Sequence, residues 1–213
     1  DDETVALARS WGAEVVASAP GRGRQMNVGA AMASGEILLF LHADTRLPPG
    51  FEHCVRQILD RPGVIAGAFR LGIDGPGWGL RIIEKVANWR ARVLQAPYGD
   101  QAIFLKAEVF HQVGGYPDSP IMEDVELLRR LRSRGRIVIA SSAVRTSARR
   151  WQRMGIWKTW LVNQAMILSY WLGVAPERLA RWYYRGRSPA RTIHRSTPTG
   201  SNQEEKHPQP LNG

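Results

Sequence analysis

Apolar and polar positions form alternating blocks along this chain, and the blocks predict helices and strands in turn. Ile37–Leu41 is a continuous apolar run between turn residues, which is typical of a strand buried on both faces. Glu123–Arg132 has apolar residues at helical spacing and predicts an amphipathic helix. The same reasoning predicts helices at Thr4–Ser10, Gln25–Ala33, Phe51–Leu59 and Leu80–Leu94, and strands at Val64–Ile73, Gln101–Lys106 and Arg136–Ala140. This alternation predicts an α/β fold with a mostly parallel sheet flanked by helices.

The pattern changes in the last third of the chain. Ile156–Pro176 is the most apolar long stretch, but Lys158, Asn163 and Gln164 interrupt it. It therefore predicts a buried or surface-lying helix rather than a membrane span. Residues after Ser188 carry almost no apolar side chains, which predicts disorder. We expect three parts: a domain at 1–150, a basic, Trp-rich helical extension at 151–187 and a disordered tail at 188–213.

Composition narrows the class of protein. With 213 residues, 44% of them apolar, the chain can bury the core of one domain, which excludes a fibrous or wholly disordered protein. Cys54 is the single cysteine, which excludes a disulfide framework and a multi-cysteine zinc site. This cysteine usage fits a reducing compartment, so we expect a cytoplasmic protein. Nothing in the acidic start, Asp1 to Glu3, resembles a signal peptide. The lack of a leading strand predicts that the first strand of the fold is missing.

The charge is large and uneven. The chain carries 29 Lys and Arg against 19 Asp and Glu, a formal net charge of +10. The positive charge is concentrated between Arg129 and Arg195, where sixteen Lys and Arg stand against a single acid, Glu177. Five of the eight tryptophans occur in the same segment. Arg and Trp together suit phosphate contacts and stacking, and they also suit a membrane interface. The charge therefore predicts an anionic partner, which is a nucleotide, a nucleic acid or an acidic membrane surface.

Two pairs of residues stand where chemistry is expected. His42 and Asp44 directly follow the apolar strand, and a carboxylate there can hold Mg²⁺ or Mn²⁺, although Asp44 could equally cap a turn. Glu123 and Asp124 begin the amphipathic helix. Adjacent carboxylates suit a general base and its orienting neighbour, although acids in a first turn also simply suit the helix dipole.

Three further segments are weaker candidates. The Gly-Arg loop at 21–27 opens a helix and could bind a diphosphate through its backbone N–H groups, or it could be a solvated basic turn. Residues 97–101, Pro-Tyr-Gly-Asp-Gln, could bind a substrate hydroxyl or form a turn. Residues 149–151, Arg-Arg-Trp, could line a phosphate or be a solvated cluster beside a packed Trp.

In this order the segments resemble the family 2 glycosyltransferases with the GT-A fold, over about residues 2–160. Residues 2–4 are similar to the end of the family's first nucleotide-binding motif, and residues 23–29 to its Arg-Asn-x-Gly segment. Leu-His-Ala-Asp at 41–44 takes the place of the Asp-x-Asp metal motif. Residues 123–124 match the Glu-Asp motif and residues 150–151 the end of Gln-x-x-Arg-Trp. The sequences of residues 39–45 and 98–101 are most similar to those of a bacterial subgroup, the diaponeurosporenoate-type and radical-SAM/selenodomain-associated transferases.

The resemblance implies a metal-dependent, inverting transferase that moves a sugar from a nucleotide-diphosphate sugar to an acceptor hydroxyl or carboxylate. Asp44 would hold Mg²⁺ or Mn²⁺ on the diphosphate, with His42 as a second contact in place of the first Asp of the motif. Asp124 would take the acceptor's proton. Ser147, in place of the Gln of the Arg-Trp motif, argues against a processive synthase. The remaining substrate-binding residues implied are Asp2, Arg22, Arg24, Asn27, Gly99, Asp100, Gln101, Glu123, Arg150 and Trp151.

The partners expected on this interpretation are a nucleotide-sugar donor and an apolar or lipid-linked acceptor. The basic helical end predicts peripheral contact with an anionic membrane, on its inner face. Two other function classes remain open. One is a nucleic-acid-binding protein, which the charge favours but which no helix-turn-helix, zinc-finger, RRM or KH signature supports. The other is a non-catalytic module that binds a nucleotide sugar or a lipid.

Overall fold

The structure is a computed structural model that describes residues 3–185. Asp2 and the predicted tail at 188–213 lie outside the described residues. The helices are α1 Thr4–Ser10, α2 Arg22–Met32, α3 Phe51–Leu59, α4 Trp78–Val93, α5 Ala107–Gln112, α6 Glu123–Arg132, α7 Arg149–Met154, α8 Ile156–Trp171 and α9 Pro176–Tyr184. The strands are β1 Ile37–Phe40, β2 Thr45–Arg46, β3 Val64–Asp74, β4 Ile103–Lys106 and β5 Arg136–Ser147. The α/β class is confirmed.

The five described strands form one sheet in the order β1-β4-β3-β5-β2. Only the β3–β5 pair is parallel, whereas β1–β4, β3–β4 and β2–β5 are antiparallel. The prediction of a mostly parallel sheet was therefore wrong for these strands. Alternation of strands and helices indicates the class of fold, but it does not determine the direction in which a strand enters the sheet.

The segment between α4 and β4 explains the reversed direction of β4. Helix α4 runs back along β3, because Arg81 bonds the carbonyl groups of Ile73 and Gly75 while Asn88 bonds the backbone of Leu71. After α4 the chain turns and runs in the direction of β3 again. Near the start of β5, Gln95 Oε1 accepts a hydrogen bond from the backbone N–H of Ile137. Further along, Gln101 Nε2 donates to the carbonyl of Phe69. Strand β4 therefore starts beside the middle of β3 and runs antiparallel to its first half, with Phe104 opposite Gly67 and Leu105 opposite Ala66.

Strand β1 is half-buried rather than buried on both faces, which corrects the second expectation. Leu38 is buried, but Ile37, Leu39 and Phe40 are partly exposed. The physical reason is position, because β1 is the edge of the described sheet and pairs on one side with β4. Its continuous apolar composition thus reflects contact with α2, α3 and α5 side chains more than burial within a sheet interior.

Helices cover both faces of the sheet. One core cluster joins β-strand residues such as Ile103 and Leu105 to Leu127 and Leu131 of α6. The other joins Phe104 and Phe69 to α3. Successive residues of β4 therefore point to opposite cores, as the period of a strand requires.

The predicted extension is not separate from the sheet. Trp151, Ile156 and Trp160 pack against a third cluster formed by the end of β3 and by α4, which includes Ile73 and Leu80. The described residues up to Tyr183 form one compact unit. Helix α8 begins where the sequence predicted it, at Ile156, and ends at Trp171. Within residues 3–185, every helix is too short or too polar to cross a bilayer.

Candidate active site

A cluster of polar side chains lies where β1 ends and β4 begins. His42 follows β1 by two residues, and the pairing of Phe40 with Ile103 places it beside residues 99–101. A methyl group added to Gly99 would lie 2.9 Å from His42 Nε2 and 3.6 Å from Asp124 Oδ2. The structure therefore brings His42, Gly99 and Asp124 together, although they are far apart in sequence.

Asp124 is the carboxylate that the backbone holds most firmly in this cluster. It is only 9% exposed. Its Oδ2 accepts a hydrogen bond of 3.0 Å from the N–H of Gly99, and its Oδ1 accepts one of 2.8 Å from the N–H of Val125. These two backbone donors fix the orientation of the carboxylate. Asp124 can therefore act as a proton acceptor at a defined place.

Two residues without the freedom of glycine adopt left-handed backbone angles beside this cluster. Met122, at φ 65°, precedes the two acids of α6, and Ala102, at φ 49°, follows the short 3-10 turn at 99–101. Such conformations cost about 1–3 kcal/mol each and persist only where surrounding contacts impose them. Here both lie next to the residues predicted to meet substrate, which makes this end of the sheet the best candidate site.

Asp100 lies in the same cluster with an unsatisfied atom. Its Oδ1 is buried and has no hydrogen-bond partner among the described residues. Burial raises the pKa of Asp100 above its ordinary value, Arg90 and His42 act in the opposite direction, and Asp124 raises it further. A buried acceptor that lacks a partner is uncommon and indicates a place where a ligand group can bind.

Glu123 forms an ion pair rather than an open binding group. Its side chain is 2% exposed, and Oε1 accepts a hydrogen bond of 2.6 Å from Arg22 Nε. Arg22 itself is about half exposed. The pair ties the start of α2 to the start of α6, so that the helix carrying Asp124 is anchored at its first residue.

A second tie fixes α2 beside the loop before α6. The Asn27 side chain donates to the carbonyl of Tyr116 at 2.8 Å and accepts from its N–H at 2.9 Å. Gly23 permits the close approach, because a Cβ there would lie 2.8 Å from the carbonyl oxygen of Pro117. Arg24 forms an ion pair with Asp118, in which Nη2 donates to Oδ2 at 2.7 Å and to Oδ1 at 2.9 Å. Residues 22–27 are thus the first turns of α2 rather than the predicted loop, and they carry two arginines near the Glu-Asp pair.

Gln101 is wholly buried, and its amide groups are used within the protein. Its Nε2 donates to the carbonyl of Phe69 at 2.9 Å, and its Oε1 accepts from the N–H of Tyr98 at 3.2 Å. These bonds hold the 99–101 turn against β3. In this structure Gln101 positions Gly99 and Asp100, while direct contact of Gln101 with a substrate stays a prediction.

The remaining predicted residues contact other parts of the fold. Asp44 is exposed, and its carbonyl accepts from the N–H of Ser147, which places it beside the end of β5. Arg150 points toward the C-terminal helices, where it bonds Asn163 and Tyr183, and Trp151 packs against the third core cluster. Substrate binding by Arg150 and Trp151 stays a prediction, and Asp2 lies outside the described range.

Sequence reasoning missed Arg90 and undervalued Tyr98. The guanidinium of Arg90 lies 3.4 Å from the centre of the Tyr98 ring, and its charge acts on the pKa of Asp100. Burial raises the pKa of Tyr98, and Arg90 lowers it. Helical spacing alone assigns Arg90 to a solvated helix face, so no local signal could have found it. Tyr98 could have been identified from the sequence, because it directly precedes Gly99 and Asp100.

Comparison with known structures defines the class. The chain resembles S. aureus TarS 1-349 with a TM-score of 0.53 and 14% identity, over 69% of this chain and 48% of that one. It also resembles the mannosyltransferase PcManGT from Pyrobaculum calidifontis, solved with GDP-Man and Mn²⁺, with a TM-score of 0.57 and 19% identity, over 86% and 57%. The fold is that of the GT-A glycosyltransferases. The chain spans about half the length of these two structures.

The family follows from the sequence. The profile of the family described as Glycosyl transferase family 2 matches residues 1–114, which is more than half of the chain. The chain belongs to glycosyl transferase family 2. The matched part includes His42, Asp44, Gly99 and Asp100, while Asp124 lies beyond it. No curated protein matches the chain.

Proposed function

We propose that this protein is an inverting glycosyltransferase that moves a sugar from a nucleotide-diphosphate donor to an acceptor hydroxyl or carboxylate. The observation that carries the proposal is the placement of Asp124. It is a buried carboxylate, oriented by two backbone N–H groups, in a cluster with His42 and Asp100 in a chain of family 2. The fold and the family support the class of reaction, and the cluster supports the site.

Asp124 is the general base in this proposal. The acceptor oxygen attacks the anomeric carbon from the face opposite the diphosphate. When the acceptor is a hydroxyl, its proton passes to Asp124 as the new bond forms, whereas an ionised carboxylate has no proton to lose. The bond between the anomeric carbon and the diphosphate oxygen breaks, and the electron pair leaves with the diphosphate. No second carboxylic acid is needed for the leaving group, in contrast to a glycoside hydrolase, because a diphosphate leaves as a stabilised anion.

A divalent cation, Mg²⁺ or Mn²⁺, would be held by His42 and Asp44. Imidazole and carboxylate are both ligands of first-row divalent metals, so the donor set fits Mn²⁺. Among residues 3–185, no three His, Cys, Asp or Glu side chains are grouped closely enough to hold a metal by themselves. The remaining ligands would be oxygens of the donor diphosphate and water. The bound ion would offset the negative charge that develops on the leaving diphosphate.

Asp100 would bind a hydroxyl of the sugar or of the acceptor. Its buried Oδ1 is the unsatisfied acceptor of the cluster, and a hydroxyl donor would complete it. Arg22 and Arg24 would lie on the nucleotide side, with Asn27 holding the start of α2 in place. Arg22 is suited to a double role, since its exposed half can face a phosphate while Nε holds Glu123.

We further propose an apolar or lipid-linked acceptor and a peripheral position on an anionic membrane. The support is the basic, Trp-rich C-terminal third of the chain, in which arginine and tryptophan side chains occur together. An enzyme that rests on the bilayer can take an acceptor whose apolar part remains in the lipid.

A thermal-shift screen tests the donor and the metal together. Nucleotide diphosphates and nucleotide sugars are added with and without Mn²⁺. We expect one nucleotide class to raise the melting temperature, because a ligand at about 100 times its Kd adds about 2.7 kcal/mol to the free energy of unfolding. Asp44→Ala should abolish the part of the shift that requires Mn²⁺.

Asp60→Ala is the matched control, since Asp60 is an exposed carboxylate at the end of α3. It should retain the full Mn²⁺-dependent shift. A chain that no nucleotide or nucleotide sugar stabilises, with or without metal, would contradict the proposed donor class.

A further inference from the structure

Helix α4 carries a second apolar face that the protein core does not use. Its buried face packs against the sheet through residues such as Leu80, Ile83 and Ala87. Five large apolar side chains lie exposed on the other side, spaced by four, four, three and four residues. They are Trp78, Ile82, Val86, Trp89 and Val93. At 3.6 residues per turn this spacing places them in one stripe along the helix.

Helix α8 exposes a similar stripe. Trp157, Leu161, Leu168 and Trp171 are exposed at intervals of four, seven and three residues, so they also share one face. The two stripes meet where the Trp78 and Trp157 rings lie 5.7 Å apart. We call these two stripes, which adjoin at Trp78 and Trp157, the Trp face. Four of its nine members are tryptophans.

The exposed charges on α4 and α8 themselves are of one sign. Lys85 and Arg92 are exposed beside the α4 stripe, and Lys158 beside the α8 stripe. The single acid of α4, Glu84, is turned inward, where it accepts from the N–H of Ile73. Helix α8 contains no acid. The surface is therefore apolar, aromatic and bordered by cations, without an exposed carboxylate on either helix.

Apolar and aromatic side chains bordered by cations fit a lipid surface better than the other classes of partner. Large exposed apolar patches mark binding surfaces. Tryptophan is enriched at the boundary between lipid and water, and Lys and Arg beside it gain energy from anionic headgroups. Amphipathic helices that bind a membrane without crossing it lie in the plane of the interface.

We propose that the Trp face is the surface by which the protein docks on an anionic membrane, with α4 and α8 lying in the interface. This deepens the membrane contact proposed above and assigns it to a particular surface. Helix α4 belongs to the part of the chain outside the basic C-terminal third, so the charge of that third alone does not locate the contact.

Vesicle sedimentation tests the assignment. The full chain is mixed with phosphatidylcholine vesicles that contain or lack phosphatidylglycerol, at low and high salt. We expect binding to the anionic vesicles that weakens as salt rises. The double variant Trp89→Gln/Val93→Gln should reduce the partition coefficient at least about tenfold, because burial of each such side chain is equivalent to that factor or more.

The matched control is Val5→Gln/Trp11→Gln, which removes one exposed Val and one exposed Trp from the region of α1. It should bind vesicles as the wild type does. Circular dichroism checks that both variants are folded. Equal loss in both variants, or no binding by the wild type, would overturn the proposal.

Light scattering without lipid tests a second copy of the chain as the occupant. A dimer that Trp89→Gln/Val93→Gln converts to a monomer would overturn the membrane assignment, whereas a monomer in both cases supports it. The nucleotide-sugar thermal shift is measured on the same variants. Because it does not depend on lipid, failure of the membrane proposal and failure of the donor proposal remain distinguishable.

Discussion

Two regions of this molecule reverse the usual distribution of side chains, and they do so in opposite ways. Near the end of β1 and at the start of α6, carboxylates are buried: Glu123 is 2% exposed and Asp124 is 9% exposed. On the Trp face, aromatic side chains are exposed: Trp78 is 69% exposed and Trp89 is 60% exposed. Buried charge and exposed apolar surface both cost free energy in the isolated protein.

The two regions differ in what offsets the unfavourable free energy of the buried charge and of the exposed apolar surface. The site is satisfied from within, since Arg22 neutralises Glu123 and backbone N–H groups hold Asp124. One atom, Asp100 Oδ1, is left without a partner among the described residues, and it marks where a small polar group fits. Side chains of the described chain leave the Trp face uncovered along the length of two helices, which fits a large partner. The site is thus organised for a ligand, and the Trp face for a surface.

The strongest test of this contrast removes the charge of Asp124. Asp124→Asn keeps the side chain's shape but cannot accept the acceptor's proton. We expect transfer to fall about 10²–10⁴-fold, the usual contribution of general base catalysis. Binding of the donor, followed by thermal shift, should be nearly unchanged. Transfer is measured as release of the nucleoside diphosphate in the presence of acceptor.

Asp60→Asn is the matched control, with the same substitution at an exposed position at the end of α3. Its turnover should equal that of the wild type. Wild-type turnover in Asp124→Asn would exclude this residue as the base and leave the buried carboxylate with a structural role.

A smaller effect is expected from the ion pair behind the site. Arg22→Ala leaves the buried Glu123 carboxylate without its guanidinium, which should lower the free energy of unfolding by about 1–3 kcal/mol. Urea denaturation measures the change. The second substitution Glu123→Gln, added to Arg22→Ala, should recover part of the loss because an amide is cheaper to bury than a carboxylate.

The comparison is sharpened by Trp89→Gln on the Trp face. An exposed side chain that contacts solvent contributes little to folding, so we expect a change within about 0.5 kcal/mol. A larger loss in Trp89→Gln than in Arg22→Ala would reverse the contrast between the two regions.

A small effect that depends on pH is expected one turn away from the site on the same helix. Hydrogen bonds from Arg129, and from Arg130, hold the pKa of Glu126 down to about 2, against an ordinary 4.5. A lowered pKa in the folded state adds stability that is complete above pH 4.5 and is lost as the pH falls toward 2. The exposed arginines are screened by water, so the contribution is at most about 1 kcal/mol.

Urea unfolding of the wild type and of Glu126→Gln, repeated at descending pH, isolates this term. The difference in free energy of unfolding between the two proteins should shrink as the pH falls through that range. A difference that is independent of pH would show that the ion pair does not contribute. The contrast between Asp124 and Glu126 separates a carboxylate held by backbone N–H groups from one held by arginine side chains within a single helix.

Much of the fold was accessible from local patterns. The bounds of α1, α3 and α6 agree with the predicted helices, because each has apolar residues at helical spacing and clear end signals. Strand β5 was predicted to end at Ala140 but continues to Ser147. Ser141 and Ser142 interrupt its apolar pattern, while hydrogen bonds to β3 and β2 continue the strand. Local composition cannot show pairing between distant segments.

The candidate site divides in the same manner. Position after a strand or at a helix start selected His42 and Asp124, and their meeting around Gly99 is visible only in the structure. Arg90 could not be found from sequence because α4 must first fold back along β3 before its side chain reaches Tyr98. Arg150 matched a family motif by sequence, yet its guanidinium bonds Asn163 and Tyr183.

By itself, the sequence determined the class of fold, most of the regular segments and the residue types able to do the chemistry, since these depend on near neighbours in the chain. The tertiary structure decided the direction of β4, the pairing of Arg22 with Glu123 and the exposure of the second face of α4. These depend on contacts between residues far apart in sequence. An apolar residue at helical spacing predicts a helix whether its side chain meets a core or a membrane, and only packing distinguishes the two.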